Sequence, residues 1–356
     1  MCRSRFVRYR SLAILHAKQA KQSLHQGPPP VNSVISRLIL NVFLPPTRLS
    51  RSPARYPERD ETHLQLNYGI IRPVSTIQVA DPAANTGQTL NIYYQVQGAG
   101  RDVVLIHGWA SSWRLWQGTM DVLAKAGCRA WALDLPGFGA SDKPADGWYS
   151  IKNFAALVSA FCQALGLERA SIVGHSMGGT IALLLGLEQP HMVERLVAVS
   201  PVVSGRLNFP VRMFASRWLG RWLYGLSARS WPLAAAGAQL LYNRSWSLRP
   251  RAHHRRAWED LSRAAPHAAL GSLRALAHFD LSPRLQAITA PTLILAGAGD
   301  LNVPPSQARL AAARIPGARL VILPGARHLP MNDQPERFYR ELRQFLMADM
   351  ETVPAR

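Results

Sequence analysis

A chain of 356 residues with 48% hydrophobic content can bury a full core, and its 17% charged fraction excludes a disordered protein of this size. No run of about 18 uninterrupted apolar residues occurs, so no segment reads as a membrane-spanning helix. The net charge of +20 is unevenly placed, with eleven Lys/Arg against three Asp/Glu in residues 1 to 65 and thirteen against three in residues 201 to 284.

Residues 1–69 have no acidic residue before Glu58 and are rich in Arg, Ser and Pro. They are expected to form a basic, poorly ordered appendage, with three readings open: an organellar targeting peptide, a disordered arm, or a start codon assigned too far upstream. Pro28-Pro29-Pro30 and Pro45-Pro46 break any single long helix, leaving room for a short amphipathic one over Val34 to Phe43. Cys2, Cys128 and Cys162 are odd in number, far apart and without a C-x-x-C, which suggests neither a disulfide framework nor a metal site and makes a reducing, cytoplasmic location the expectation.

From about residue 70 strands alternate with helices, the signature of an α/β domain. Ile77 to Ala80 and Leu90 to Val96 read as a hairpin-like pair joined by the turn-rich Asp81 to Gly87. The wholly apolar Val103 to Ile106 suits a central buried strand. Arg129 to Leu135 and Ala170 to Val173 are further strands, and between them Phe154, Leu157, Val158, Phe161 and Leu165 recur at helical spacing behind a Ser150 cap. Cys162 beside that stripe reads as a small core residue. Leu196 to Ser200, Thr292 to Ala296 and Arg319 to Leu323 continue the sheet, and Phe338, Leu342, Phe345 and Leu346 mark a closing helix.

Residues 201–284 interrupt the alternation. They hold five of the ten tryptophans, among them Trp218 and Trp222, and thirteen arginines. The expectation is a helical cap over the carboxyl edge of the sheet, where open α/β sheets place their ligands, between core segments 70–200 and 285–356. Two readings of the cap stand side by side: tryptophans that pack it onto the core beneath solvated arginines, or a surface that meets an anionic membrane. No zinc-finger spacing, RNP-like segment or helix-turn-helix accompanies the charge, so nucleic acid is not an expected partner.

The strongest chemical signal is Gly174-His175-Ser176-Met177-Gly178, after the strand Ser171 to Val173 and before the helix-like Thr180 to Glu188. A nucleophile held in a strained strand-to-helix turn needs small residues on both sides. Its hydroxyl needs a base. Among eleven histidines His328 is chosen, because it stands in the loop between the last strand and the last helix. Asp300, at the end of a strand running into Gly297-Ala298-Gly299, completes the order Ser, Asp, His, whereas Val199-Ser200-Pro201-Val202-Val203 after the preceding strand contains no carboxylate. The backbone N–H of Met177 and that of Trp109, in the turn His107-Gly108-Trp109, are the expected oxyanion donors. His107, Phe138, Trp218 and Trp222 are expected to line the substrate pocket, with His107 also shaping its loop.

These segments, with Asp134-Leu135-Pro136-Gly137-Phe138-Gly139-Ala140-Ser141 and His328-Leu329-Pro330, resemble the α/β-hydrolase superfamily in the family's own order over roughly residues 75 to 348. The resemblance implies a mostly parallel sheet with helices on both faces and an inserted helical cap. Esterases, lipases, thioesterases, carbon–carbon hydrolases and cofactor-free perhydrolases share the motifs. Haloalkane dehalogenases and epoxide hydrolases resemble the Asp134 to Ser141 segment but use an aspartate where this chain has Ser176, and Asp134 reads as a structural loop residue. Carbon–carbon hydrolases usually carry Asn before the nucleophile, so His175 favours an ester. His328 with Asp333 also fits the H-x-x-x-x-D spacing of related acyltransferases. The expectation is a serine esterase or lipase-like enzyme acting on a small-molecule or lipid ester, without metal or organic cofactor. Thioesterase, carbon–carbon hydrolase or acyltransferase activity on the same triad, and a ligand receptor that keeps the fold, are the alternatives.

Overall fold

A computed structural model describes residues 75–84, 87–145, 147–205 and 252–348. The appendage expected over 1–69, the helix expected near Val34 to Phe43, and Trp218 and Trp222 with the arginines around them lie outside the described residues. In chain order the elements are β1 (Ser75–Ala80), β2 (Thr89–Gly98), β3 (Arg101–Ile106), α1 (Gln117–Lys125), β4 (Cys128–Leu133), α2 (Ile151–Ala164), β5 (Ala170–His175), α3 (Met177–Glu188), β6 (Val193–Val199), α4 (Ala252–Arg263), α5 (Pro266–Ala277), β7 (Thr292–Gly297), α6 (Pro305–Arg314), β8 (Arg319–Leu323), the single turn α7 (Pro330–Asp333) and α8 (Pro335–Leu346).

The eight strands form one sheet in the order β1-β2-β4-β3-β5-β6-β7-β8. β2 runs against both of its neighbours, and every other pairing is parallel. The chain leaves β3 to one side to make β4 and returns to the other side to make β5. This reversal opens a crevice at the carboxyl ends of β3 and β5, the place where such sheets bind ligands.

Alternation along the strands sends side chains to two separate cores. Val104 and Ile106 of β3 join Phe154, Leu157, Phe161, Ile181 and Leu184 of α2 and α3 on one face. Val103 and Leu105 join Met120 and Leu123 of α1 and Phe338 and Leu342 of α8 on the other. With helices on both faces, the central strands are apolar throughout rather than alternating, as Val103 to Ile106 are. This is an α/β-hydrolase fold.

Two of the boundaries that differ from the sequence reading bear on the site. β4 ends at Leu133 because the Asp134 carboxylate organises the loop that follows, accepting the backbone N–H groups of Trp113 (2.7 Å) and Ala140 (2.9 Å). α3 begins at Met177 and so includes Gly178 and Gly179, which propensity alone would leave outside it. Between β6 and β7 the described part of the insert carries α4 and α5. No helix among the described residues is long and apolar enough to cross a membrane.

α2 shows how local sequence starts an element. Ser150 is extended, and its hydroxyl accepts the N–H of Asn153 at 3.0 Å, replacing an intrahelical partner that the first turn lacks. Phe154, Leu157, Val158 and Phe161 then bury one stripe against the sheet, and Cys162 beside them is fully buried with its thiol pushed up to about 12 by burial. Ser150→Ala is expected to lower the free energy of urea unfolding by about 1 kcal/mol without changing activity. An unchanged midpoint would assign the start of α2 to packing alone.

Candidate active site

Ser176 sits between β5 and α3 with φ 53° and ψ −114°, a left-handed conformation that L-residues rarely adopt. Close approach of three segments enforces it. A Cβ on Gly174 would collide with the carbonyl of Gly178, and one on Gly178 with the carbonyl of Ile106 at the end of β3. The Ser176 N–H donates to the Val199 carbonyl (2.8 Å), and the Ser176 carbonyl accepts the first helical N–H, from Thr180 (3.0 Å). The N–H groups of Met177, Gly178 and Gly179 therefore precede the first α3 hydrogen bond, at the positive end of the helix. The loop after β3 presses on the same point. A Cβ on Gly108 would lie 3.2 Å from the Ser176 Cβ and 2.9 Å from the His175 Nδ1.

Asp300 and His328 are brought together by the loops after β7 and β8. His328 Nδ1 lies 2.8 Å from Asp300 Oδ2, and Asp300 Oδ1 accepts the N–H groups of Asn302 and Val303, both at 2.9 Å. With Nδ1–H donated to the carboxylate, the imidazole keeps its Nε2 lone pair for a proton. Burial pushes the Asp300 carboxyl up, but the charge and hydrogen bond of His328 and the two backbone donors outweigh it and hold the carboxyl below its ordinary value.

The His328 loop is fastened from several directions. The N–H groups of Ala298 and Gly299 donate to the carbonyls of Leu323 (3.0 Å) and Ala326 (2.9 Å), and a Cβ on Gly297 would collide with the Arg327 carbonyl. Asp333 Oδ2 accepts the Arg327 N–H at 2.8 Å. His175 Nε2–H donates to the His328 carbonyl at 2.8 Å, and the two rings stand 4.7 Å apart, which places the His328 ring beside the residue that precedes Ser176. The sequence reading missed the holding roles of His175 and Asp333. For His175 no sequence signal exists, because its partner is 153 residues away. For Asp333 the signal was the His328-to-Asp333 spacing itself, which had pointed to a transferase.

His107 organises the loop that carries Trp109. Its Nε2 accepts the Leu135 N–H (2.9 Å), so Nδ1 carries the proton and donates it to the Gly108 carbonyl (2.7 Å). That carbonyl and the Trp109 N–H belong to one planar trans peptide and point in opposite directions, so His107 aims the Trp109 N–H. His107 and Phe138, expected in the substrate pocket, pack against each other. Both are fully buried and meet edge to face at 5.8 Å, and both nitrogens of His107 are engaged by backbone, leaving no polar atom for a substrate. They brace the loop from within. Trp218 and Trp222, expected in the same pocket, lie outside the described residues. Among the described residues no three His, Cys, Asp or Glu side chains gather as a group that could hold a metal ion.

Comparison with known proteins identifies the family. The family profile described as alpha/beta hydrolase fold matches residues 103–335. A Variovorax paradoxus protein provisionally named carbamate hydrolase RutD is 32% identical over 72% of this chain and 96% of its own length. The pimeloyl-acyl-carrier-protein methyl ester esterase of Aeromonas hydrophila is 30% identical over 70% of this chain and 96% of its own. Among solved structures, a hydrolase from Pseudomonas aeruginosa superposes with a TM-score of 0.65 at 29% identity, covering 77% of this chain and 98% of that one. An esterase from Exiguobacterium antarcticum gives 0.66 at 25% identity, covering 76% and 98%.

The buried histidines make stability depend on pH. Burial holds the His107 imidazole down to about 4, against its Gly108 hydrogen bond, and burial followed by the neighbouring His328 holds His175 down to about 3. Between about pH 6.5 and 4 the unfolded chain binds protons that these two native rings refuse, so stability is lost as pH falls through that window. Asp134 and Asp260 work the other way, because burial raises both carboxyls, that of Asp134 to about 6 against the Ala140 and Trp113 donors. His175→Asn is expected to remove about 1 kcal/mol per pH unit of the stability that wild type loses through this one ring as pH falls from about 6.5 to 4.5. Equal slopes in urea titrations of the two proteins would contradict the burial of a neutral His175.

Proposed function

The chain belongs to the alpha/beta hydrolase fold family, and we propose that it is a serine hydrolase that cleaves a carboxylic ester through an acyl-enzyme on Ser176. The observation that carries this reading is a serine held at φ 53° at the start of α3, with an imidazole–carboxylate pair at 2.8 Å in the loops beside it. His328 Nε2 takes the Ser176 proton as Oγ attacks the ester carbonyl carbon. Asp300 holds the ring tautomer and stabilises the imidazolium. The N–H groups of Met177 and Trp109 bind the oxyanion. Collapse expels the alcohol, which receives its proton from His328, and water activated by the same ring then releases the acid. The insert around α4 and α5 acts as a cap over this edge, with α5 hydrogen-bonded to the loops after β3 and β4 through Ala269 and Ala265.

Two observations favour an ester over the alternatives. Relatives named as esterases match this chain at 25–30% identity over most of their length. The Asp333 carboxylate, which supplied the transferase spacing, accepts the Arg327 N–H and is accounted for by the folding of the His328 loop. The filled set of Ser176, Asp300 and His328 favours an enzyme over a ligand receptor, and covalent labelling of Ser176 discriminates the two.

Ser176→Ala, His328→Ala and Asp300→Ala are each expected to lower turnover of p-nitrophenyl esters by roughly 10⁴- to 10⁶-fold while urea unfolding stays cooperative. A fluorophosphonate is expected to label one serine per chain, absent in Ser176→Ala, and chelators to leave the rate unchanged. Near-wild-type ester hydrolysis by folded Ser176→Ala would end this reading. A graded series of acyl chain lengths then assigns the substrate.

A further inference from the structure

The loop from His107 to Trp113 is fastened from two sides of different origin. From the core, His107 binds the Gly108 carbonyl and Asp134 binds the Trp113 N–H. From the insert, the carbonyl of Ala269 on α5 accepts the indole Nε1–H of Trp109 at 2.7 Å, and Glu259 on α4 pairs with Arg114 at 3.2 Å. Between the anchors Ala110 takes φ 51°, a conformation that a residue with a Cβ holds only when its surroundings impose it. The peptide between Gly108 and Trp109 is thus set at its carbonyl end by His107 and at its other end by a tryptophan whose indole N–H is held by a helix of the insert.

We propose that α5 completes the oxyanion hole: by accepting the Trp109 indole hydrogen bond at Ala269 it fixes the Trp109 backbone N–H, so the seating of the insert sets the rate of acyl transfer as well as access to the site. The inference rests on the function proposed above and adds a positioning role for the Trp109 side chain and for α5. The geometry leaves α5 little freedom to be seated elsewhere. The Ala265 N–H donates to the Gly137 carbonyl (2.9 Å), His267 Nε2 lies 3.0 Å from the Pro144 carbonyl, and a Cβ on Gly137 would collide with the Ala268 methyl. A small displacement of α5 therefore pulls the indole, and through it the peptide that must meet the developing charge. An oxyanion donor acts on the transition state and much less on the bound ester, which predicts an effect on turnover rather than on substrate affinity.

The test compares wild type with Trp109→Phe, which keeps an aromatic ring and loses the indole N–H, and with Ala268→Leu, which crowds α5 against Gly137 and leaves the indole intact. Turnover of a p-nitrophenyl ester is expected to fall about 10- to 100-fold in both, with KM within about threefold of wild type. The inhibition constant of a trifluoromethyl ketone, whose serine adduct places an oxyanion in the hole, is expected to rise by the same factor as kcat/KM falls. Fluorophosphonate labelling is expected to be slower but to reach one serine per chain. Unchanged turnover in Trp109→Phe, or a loss confined to KM with ketone affinity unaltered, would overturn the proposal. If Trp109→Phe fails to unfold cooperatively, Ala268→Leu carries the same comparison. A wild-type chain that the fluorophosphonate leaves unlabelled would instead remove the underlying serine-hydrolase reading, a separate failure.

Discussion

Three backbone segments meet at Ser176 where no side chain fits between them, and the arrangement of the site follows from that contact. Gly174 lies against Gly178, Gly178 against the end of β3, and Gly108 against Ser176 itself. With β5 and α3 this close, the chain reverses over a single residue, and Ser176 takes the positive φ that the reversal demands. Such a conformation costs on the order of 1–3 kcal/mol and persists only because its surroundings over-determine it. Here they do so through the Val199 carbonyl, the start of α3 and the packed β3 loop. The strain delivers a hydroxyl at the carboxyl edge of the sheet, next to helix N–H groups that have no earlier acceptor.

Around that point one physical device is used twice. His107 donates a ring N–H to the Gly108 carbonyl, and His175 donates one to the His328 carbonyl. Burial keeps both rings neutral, since each would have to leave water to carry a charge. A neutral imidazole holds the loop of the proposed oxyanion donor, and another holds the loop of the proposed base. Asp300 is the opposite case. It is buried as deeply, yet three hydrogen bonds and the adjoining ring favour its ionised form. Identical burial gives opposite charge states because the donors around a carboxylate stabilise its charge, while the Leu135 N–H facing His107 Nε2 opposes protonation of that ring.

The central strands were legible in the sequence because they are buried on both faces and stand out as short apolar runs, as Val103 to Ile106 and Leu293 to Ala296 do. α2 was legible from its stripe and its Ser150 cap. α1 and α6 were not anticipated, since each buries only three residues and carries no cap signature. Ser176, Asp300 and His328 were proposed from glycines and from their positions after strands, which are local features. The partners that hold them were not, because the His175–His328 and Trp109–Ala269 bonds join residues more than 150 positions apart. His107 and Phe138 were assigned to the pocket because both lie in motif loops near Ser176, and the structure shows both side chains fully buried. A loop can present a side chain to the core as readily as to a ligand, and local sequence does not distinguish the two.

The anchoring of the loops separates what the core determines from what the insert can change. The loops of Asp300 and His328 are fastened to each other and to β7, β8 and His175, all within the core. Ser176 is fixed by β5, β6, α3 and the loop after β3. Among the described residues none of these bonds involves α4 or α5, so the positions of Ser176, His328 and Asp300 rest on the core rather than on those two helices. This is how one core carries many reactions, and relatives near 30% identity named for a carbamate and for a methyl ester fit it. The loop after β3 is the exception, tied to α4 through Arg114 and to α5 through Trp109. In this chain, then, a change of insert reaches beyond the shape of the pocket to the loop of the proposed oxyanion donor.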